Sequence, residues 1–180
     1  MVYLFLADGF EEIEALYTLD VLRRASIDVK TVGVTGKTAT GSHKIPVVCD
    51  VLEDEISPND DFDMIILPGG LPGAYNLDNS KAVSAFIDKA YKSNKFICAI
   101  CAAPFILGKR GILNGKKATC FPGFEKELTG AYVQNCGCVR DGNIITGRAM
   151  GSAHEFALEI LKALSSEESA EKMKKAIILD

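Results

Sequence analysis

Lys95-Phe-Ile-Cys-Ala-Ile-Cys101-Ala-Ala-Pro104 reads as a buried strand that stops at one cysteine and turns at once into a helix. Phe96 to Ile100 is wholly apolar, as a strand covered on both faces requires. Pro104 suits the first turn of a helix, where its missing N–H costs little. Ala99 and Ala103 stand two residues either side of Cys101, and a strand-to-helix elbow needs small residues there because it brings backbones together. A thiol on such an elbow meets a helix N-terminus, whose dipole and free N–H groups favour the thiolate. The same pattern also suits a buried core cysteine, a common fate of this residue. Cys98 falls within the strand. Its sulfur stands roughly 9–10 Å from that of Cys101 by strand rise, beyond disulfide reach, so Cys98 is read as core.

Working outward, apolar strands and amphipathic helices alternate. Strands are expected over 2–6, 29–34 and 63–67, and helices over 12–25 and 80–91. Ile13, Leu16, Leu19 and Leu22 recur at helical spacing. Thr35-Gly-Lys and Thr40-Gly-Ser interrupt the chain before extended structure resumes over 46–51, which predicts a short hairpin excursion. After the elbow come strand candidates over 117–121, 132–135 and 139–146 and a short helix around 124–128. Ser152-Ala-His-Glu155 is a capping-box pattern opening a last long helix. A short helix and an apolar segment, 176–179, follow. Such alternation predicts right-handed βαβ units around a mostly parallel sheet. Sites in such sheets lie at the carboxyl ends of strands: here the turn after Ala7, the loop Pro68-Gly-Gly-Leu-Pro-Gly73, and Cys101.

Bulk properties narrow the classes. A chain of 180 residues with 48% hydrophobic content suits one domain, 1–180, with a full-sized core. A net charge of −4 without a basic block argues against nucleic-acid binding. No apolar run reaches the roughly 18 residues of a membrane span. The opening Met-Val-Tyr-Leu-Phe-Leu-Ala lacks a basic leader and reads as a first strand rather than a signal peptide. Six cysteines in that setting predict reduced thiols in a cytoplasm. Cys136-Gly-Cys138 is a C-x-C with no partner pair nearby. With only His43 and His154 in the chain, no zinc site is expected, and no cofactor motif is present.

The residues that could carry chemistry are few. The Gly69-Gly70 loop could hold a backbone N–H free at a strand end, so both glycines are candidates for an oxyanion or substrate site. If the N–H groups of Gly70 and Ala102 point at one space beside Cys101, they form an oxyanion hole; alternatively the Gly69-Gly70 pair serves only a tight turn. Glu11 and Glu12 read as solvated partners of the first helix dipole. Glu14, flanked by Ile13, Ala15 and Leu16, is the carboxylate that burial could place beside a thiol as a proton carrier with a raised pKa. A hydrolase triad needs a histidine near Cys101, and nothing in the sequence puts His43 or His154 there.

Together these segments resemble the ThiJ/PfpI family, in the branch of the Parkinson's-disease protein deglycase and its bacterial relatives. The matching pieces are Ala7-Asp-Gly-Phe-Glu-Glu-Ile-Glu14, Leu19-Asp-Val-Leu-Arg-Arg-Ala25, Leu67-Pro-Gly-Gly-Leu-Pro-Gly-Ala74, Ala99-Ile-Cys-Ala-Ala-Pro104 and Thr146-Gly-Arg-Ala-Met-Gly-Ser152, leading into Glu155-Phe-Ala-Leu158. The resemblance implies a flavodoxin-like three-layer α/β/α sandwich, Cys101 as the elbow cysteine, Glu14 as the carboxyl bonded to it, and a homodimer. It also implies that Arg148 helps to bind an anion or the partner chain. Two departures stand out. Ala102 occupies the place where peptidase-like members carry histidine, and Phe121-Pro122 the place where the deglycase branch often has histidine-proline. The family's basic residue in the middle hairpin is matched only by His43 or Lys44. These readings predict a cofactor-free enzyme on small reactive aldehydes such as methylglyoxal. The alternatives are a redox sensor working through Cys101 and, less favoured, a cysteine peptidase or amidase.

Overall fold

A computed structural model describes residues 1–179. In chain order the elements begin with β1 (Val2–Leu6), α1 (Glu12–Arg24), β2 (Val29–Gly33), β3 (Thr38–Thr40), β4 (Pro46–Val48), β5 (Val51–Leu52) and β6 (Met64–Leu67). They continue with α2 (Gly73–Asn79), α3 (Lys81–Lys92), β7 (Phe96–Ile100), α4 (Pro104–Lys109), β8 (Lys117–Ala118) and β9 (Tyr132–Val133). The last are β10 (Cys138–Asp141), β11 (Ile144–Gly147), α5 (Ala153–Leu164) and α6 (Glu167–Ala176).

Seven strands form one sheet in the order β10-β11-β7-β6-β1-β2-β5. Only β10 runs antiparallel to its neighbour. The five main parallel strands, taken in chain order, are arranged 2-1-3-4-5, which is the flavodoxin-like order. Both sheet faces are covered. Tyr3, Phe5, Ile65, Leu67, Ile97 and Ala99 meet α2, α3 and α4 on one side through Leu77, Phe86 and Ile106. Leu4, Leu6, Ile66, Cys98 and Ile100 meet α1 and α5 on the other through Leu22, Phe156 and Ile160. Alternate residues of each strand serve opposite faces, so the strands must be apolar throughout. Cys98 is fully buried in the second core, as expected.

Three sequence readings change. The glycine-proline loop is shorter than it looked, because α2 begins at Gly73. Its polar stretch Tyr-Asn-Leu-Asp-Asn gives a weak helical signal, and burial of Ala74 and Leu77 in the core supplies the rest. The 117–121 and 132–135 candidates shrink to two residues each, since β8 and β9 pair only with one another in a side sheet. The capping box at Ser152 does not form. Ser152 Oγ instead bonds back to Ala149, closing a one-turn 3₁₀ helix ahead of α5. The 38–48 hairpin is as expected. No described helix is long and apolar enough to cross a membrane.

Candidate functional site

The expected strand ends do meet, between β1 and β6, where the strand order reverses. Cys101 follows β7 directly and adopts φ 65°, the left-handed region that non-glycine residues avoid at a cost of roughly 1–2 kcal/mol. Two backbone bonds hold it there. Its N–H donates to Gly147 O at 2.9 Å, and Phe121 N–H donates to its carbonyl at 2.7 Å. The bend lifts the side chain out of the sheet and leaves the residue partly exposed. The backbone N–H groups of Gly70 and Ala102 lie near enough to the sulfur to act on it, each favouring its charged form.

Glu14 comes from the first turn of α1. Glu11 caps that helix, its Oε2 accepting Glu14 N–H at 2.7 Å, and so fixes the rotation of the turn. Glu14 is fully buried. Its Oε2 accepts Gly69 N–H at 2.9 Å, and Gly69 O accepts Glu11 N–H at 2.9 Å, so helix and loop are bolted together twice. Gly69 therefore serves the carboxyl rather than the oxyanion space for which it was a candidate. It must be glycine for steric reasons. A Cβ there would stand 2.6 Å from the Cys101 Cβ and 2.7 Å from Glu14 Oε2.

Glu14 Oε1 has no well-aligned donor among the described residues, and the neighbouring group is the Cys101 thiol. Burial pushes the Glu14 carboxyl up to about 7, against the lowering effect of its bonds to Cys101 and Gly69. Cys101 is also pushed up, first by burial and then by the charge and hydrogen bond of Glu14. This corrects the expectation of a thiolate favoured by a helix dipole. α4 starts only at Pro104 and is six residues long, so it has little dipole to offer. The Gly70 and Ala102 N–H groups favour the thiolate but are outweighed. The two acids behave as one unit: they lose the first of their two protons near pH 7 and hold one between them above it.

Glu12 also departs from its solvated reading. It is buried, with Oε1 accepting the His43 N–H at 2.7 Å and Oε2 taking the His43 ring at 2.9 Å and Ser42 Oγ at 3.3 Å. Burial raises its pKa, but the hydrogen bonds from His43 and the backbone prevail and hold it below the ordinary carboxylate range. Nothing near Glu12 in sequence signals this, because its partners lie some thirty residues on. Glu11, Glu12 and His43 are spaced closely enough to hold a cation, yet Glu12 and the His43 ring are already bonded to each other. Glu12→Ala would strand the His43 N–H and is expected to cost about 1–3 kcal/mol. Faster amide hydrogen exchange across 41–45 than in wild type would report it.

Other candidates lie elsewhere. Arg148 donates to Asn135 and lines a cavity of about 260 Å³ with Cys120, Glu125, Val133 and Gln134. Its chain neighbour Gly147 accepts the Cys101 N–H, which links Arg148 to the elbow through the backbone of β11. His154 stands 3.9 Å from Glu155 at the start of α5. Phe121 reaches the elbow with its backbone, but its exposed ring brings no proton carrier.

Residues 1–163 match the family model described as the DJ-1/PfpI family. The chain belongs to the DJ-1/PfpI family. It is 36% identical to Drosophila melanogaster protein dj-1beta over 177 residues, covering 97% of this chain and 94% of that protein. A Pyrococcus abyssi protein named as a deglycase is 31% identical, over 91% of this chain and 98% of its own. The solved structure of oxidised Toxoplasma gondii DJ-1 superposes with a TM-score of 0.94 at 32% identity, covering 98% and 97% of the two chains. A DJ-1 superfamily protein of Salmonella typhimurium gives 0.93 at 34%, covering 99% and 98%.

Proposed function

We propose that this DJ-1/PfpI family member is a cysteine-dependent, cofactor-free enzyme acting on small reactive aldehydes, of the glyoxalase or deglycase type. The observation that carries this reading is the buried Glu14 carboxyl, whose Oε1 meets no donor but the neighbouring thiol, beside a partly exposed Cys101 that the Gly70 and Ala102 N–H groups act on. The deglycase name of the Pyrococcus relative supports it.

Methylglyoxal is a simple substrate of this kind. Cys101 sulfur adds to the aldehyde carbon while the thiol proton passes to Glu14, and the new oxyanion lies against the Gly70 and Ala102 N–H groups. Glu14 hands the thiol proton on to that oxyanion, and the resulting hemithioacetal keeps one C–H on the former aldehyde carbon. Glu14 carries that proton to the neighbouring carbonyl carbon, with the hydroxyl and keto oxygens exchanging roles through an enediol. This yields a lactoyl thioester. Water then releases lactate and restores the thiol. No electrons leave the substrate, so no redox cofactor is required. Among the described residues no histidine pairs with the thiol, as a cysteine peptidase or amidase would require.

Cys101→Ala is expected to abolish lactate formation, and Glu14→Gln to reduce it by about 10²–10⁴-fold, the usual worth of a positioned proton carrier. Turnover by Cys101→Ala equal to wild type would sink the proposal. The family also supports a homodimer in the cytoplasm, with Arg148 turned to an anion or to the second chain. Mass measurement in solution tests the dimer. A redox role has one specific observation in its favour, since the Gly70 and Ala102 N–H groups that act on the sulfur would equally hold sulfinate oxygens. Mass spectrometry after graded peroxide tests that reading, and oxidation of other cysteines with Cys101 untouched would count against it.

A further inference from the structure

Cys136-Gly137-Cys138 is a thiol pair that the elbow chemistry leaves unused. The chain bends at Cys136 and Gly137 just before β10. Two residues fully extended span roughly 7 Å, and the bend shortens that span toward the roughly 4.4–6.8 Å Cα separation of disulfides. Cys136 Sγ donates to the carbonyl oxygen of Cys138 at 3.3 Å, which folds its side chain toward that residue. Both cysteines are partly exposed, unlike Cys98 beneath them. Gly137 is the only residue between the two, and it offers no Cβ to obstruct ring closure. The Glu155 carboxylate packs where that Cβ would be, and Glu159 stands near Cys138.

We propose that Cys136 and Cys138 form a second redox site, a dithiol that small neutral disulfides oxidise reversibly to an intramolecular disulfide. The thiolate of Cys136 attacks one sulfur of the reagent, whose S–S bond breaks and releases one thiol after protonation by solvent. Cys138 then displaces the second thiol from Cys136 and closes the protein S–S bond. Two electrons pass to the reagent and two protons leave the protein. Cys138 packs against the second core and is pushed up to about 12 by burial and by Glu159, Glu155 and Cys136, whereas Cys136 lies outside that core, which makes Cys136 the entry point. The same carboxylates repel anionic disulfides, so an uncharged reagent suits the site. A ring spanning only one residue is tight, and tight disulfides are the readily reduced, switching kind rather than structural staples.

The test uses the full chain carrying Cys101→Ala, so that its outcome is independent of the elbow reading. The protein is treated with hydroxyethyl disulfide, quenched in acid, alkylated and mapped by mass spectrometry. The expected result is joint loss of alkylation at Cys136 and Cys138 in a peptide lighter by two hydrogens, fully reversed by dithiothreitol. Adding Cys138→Ser should trap the mercaptoethanol adduct on Cys136. The proposal is overturned if both sulfurs stay alkylated at every reagent concentration, or if the bond formed joins Cys138 to Cys98 or two chains to each other. Stoichiometric zinc bound by the pair in place of disulfide formation would overturn it as well.

Discussion

Glu14→Gln is expected to stabilise the protein above neutral pH while cutting its activity by about 10²–10⁴-fold. The folded carboxyl sits at about 7 against an ordinary 4.5. A raised carboxyl favours the fold fully below the unfolded value, and that contribution is lost as pH climbs through the folded one. Well above pH 7 the wild type therefore carries a buried charge worth about 3 kcal/mol against folding, because each tenfold change in proton affinity is worth about 1.4 kcal/mol. Glutamine keeps an oxygen for Gly69 N–H and carries no charge. Denaturant unfolding should show the variant gaining about 3 kcal/mol at alkaline pH and nothing below about pH 4.5, where Glu14 is protonated in both states. Equal stability of the two proteins at all pH values would contradict the burial that defines the site. The same variant should make Cys101 more readily alkylated, because the Glu14 charge and hydrogen bond both hold the thiol up. A more stable protein with a more reactive thiol and far lower turnover would separate proton transfer from mere thiol reactivity.

Gly70→Ala is expected to damage fold and site together. Gly70 adopts φ 85°, a region that costs an alanine about 1 kcal/mol. Its new Cβ would also run into the backbone of Glu11, Gly9 and Phe10, the last at 2.6 Å, where no flexible side chain can yield. Overpacking of this kind adds about 1–3 kcal/mol. The loop must shift to relieve it, carrying its N–H away from the Cys101 sulfur and pulling on the Gly69 bond to Glu14. Thermal unfolding should occur several degrees lower, and turnover should fall about 10²-fold or more, the worth of an oxyanion donor. Unchanged turnover would show that the Gly70 N–H is not part of the chemistry.

Much of this arrangement is legible in the residues alone. The apolar run 96–100 ended by Cys101 and followed by Pro104 specifies a strand, a bend and a helix by local rules, and β1, α1, β2 and β6 follow from the same periodicities. Glu14 stands out because its neighbours are apolar and its helix has to bury that face. What escapes depends on contacts between distant segments. α2 is stabilised by the core it packs on. Glu12 is buried by a hairpin loop some thirty residues away. The direction in which the Cys101 pKa moves depends on how near Glu14 lies and how little water reaches it, quantities that no local pattern encodes. The dipole rule points the other way because it assumes a helix start that the chain reaches three residues later, at Pro104.

The central claim is that Cys101 and Glu14 act as one acid pair on an aldehyde. Its most direct test is the pH dependence of lactate formation from methylglyoxal between about pH 5 and about pH 9. In the wild type kcat/KM should rise with a midpoint near 7, as the pair loses the first of its two protons. Cys101→Ala should give no lactate at any pH, and in Glu14→Gln the rise should vanish. Lactate formed at wild-type rates without Cys101, or a wild-type profile flat across that range, would contradict the account.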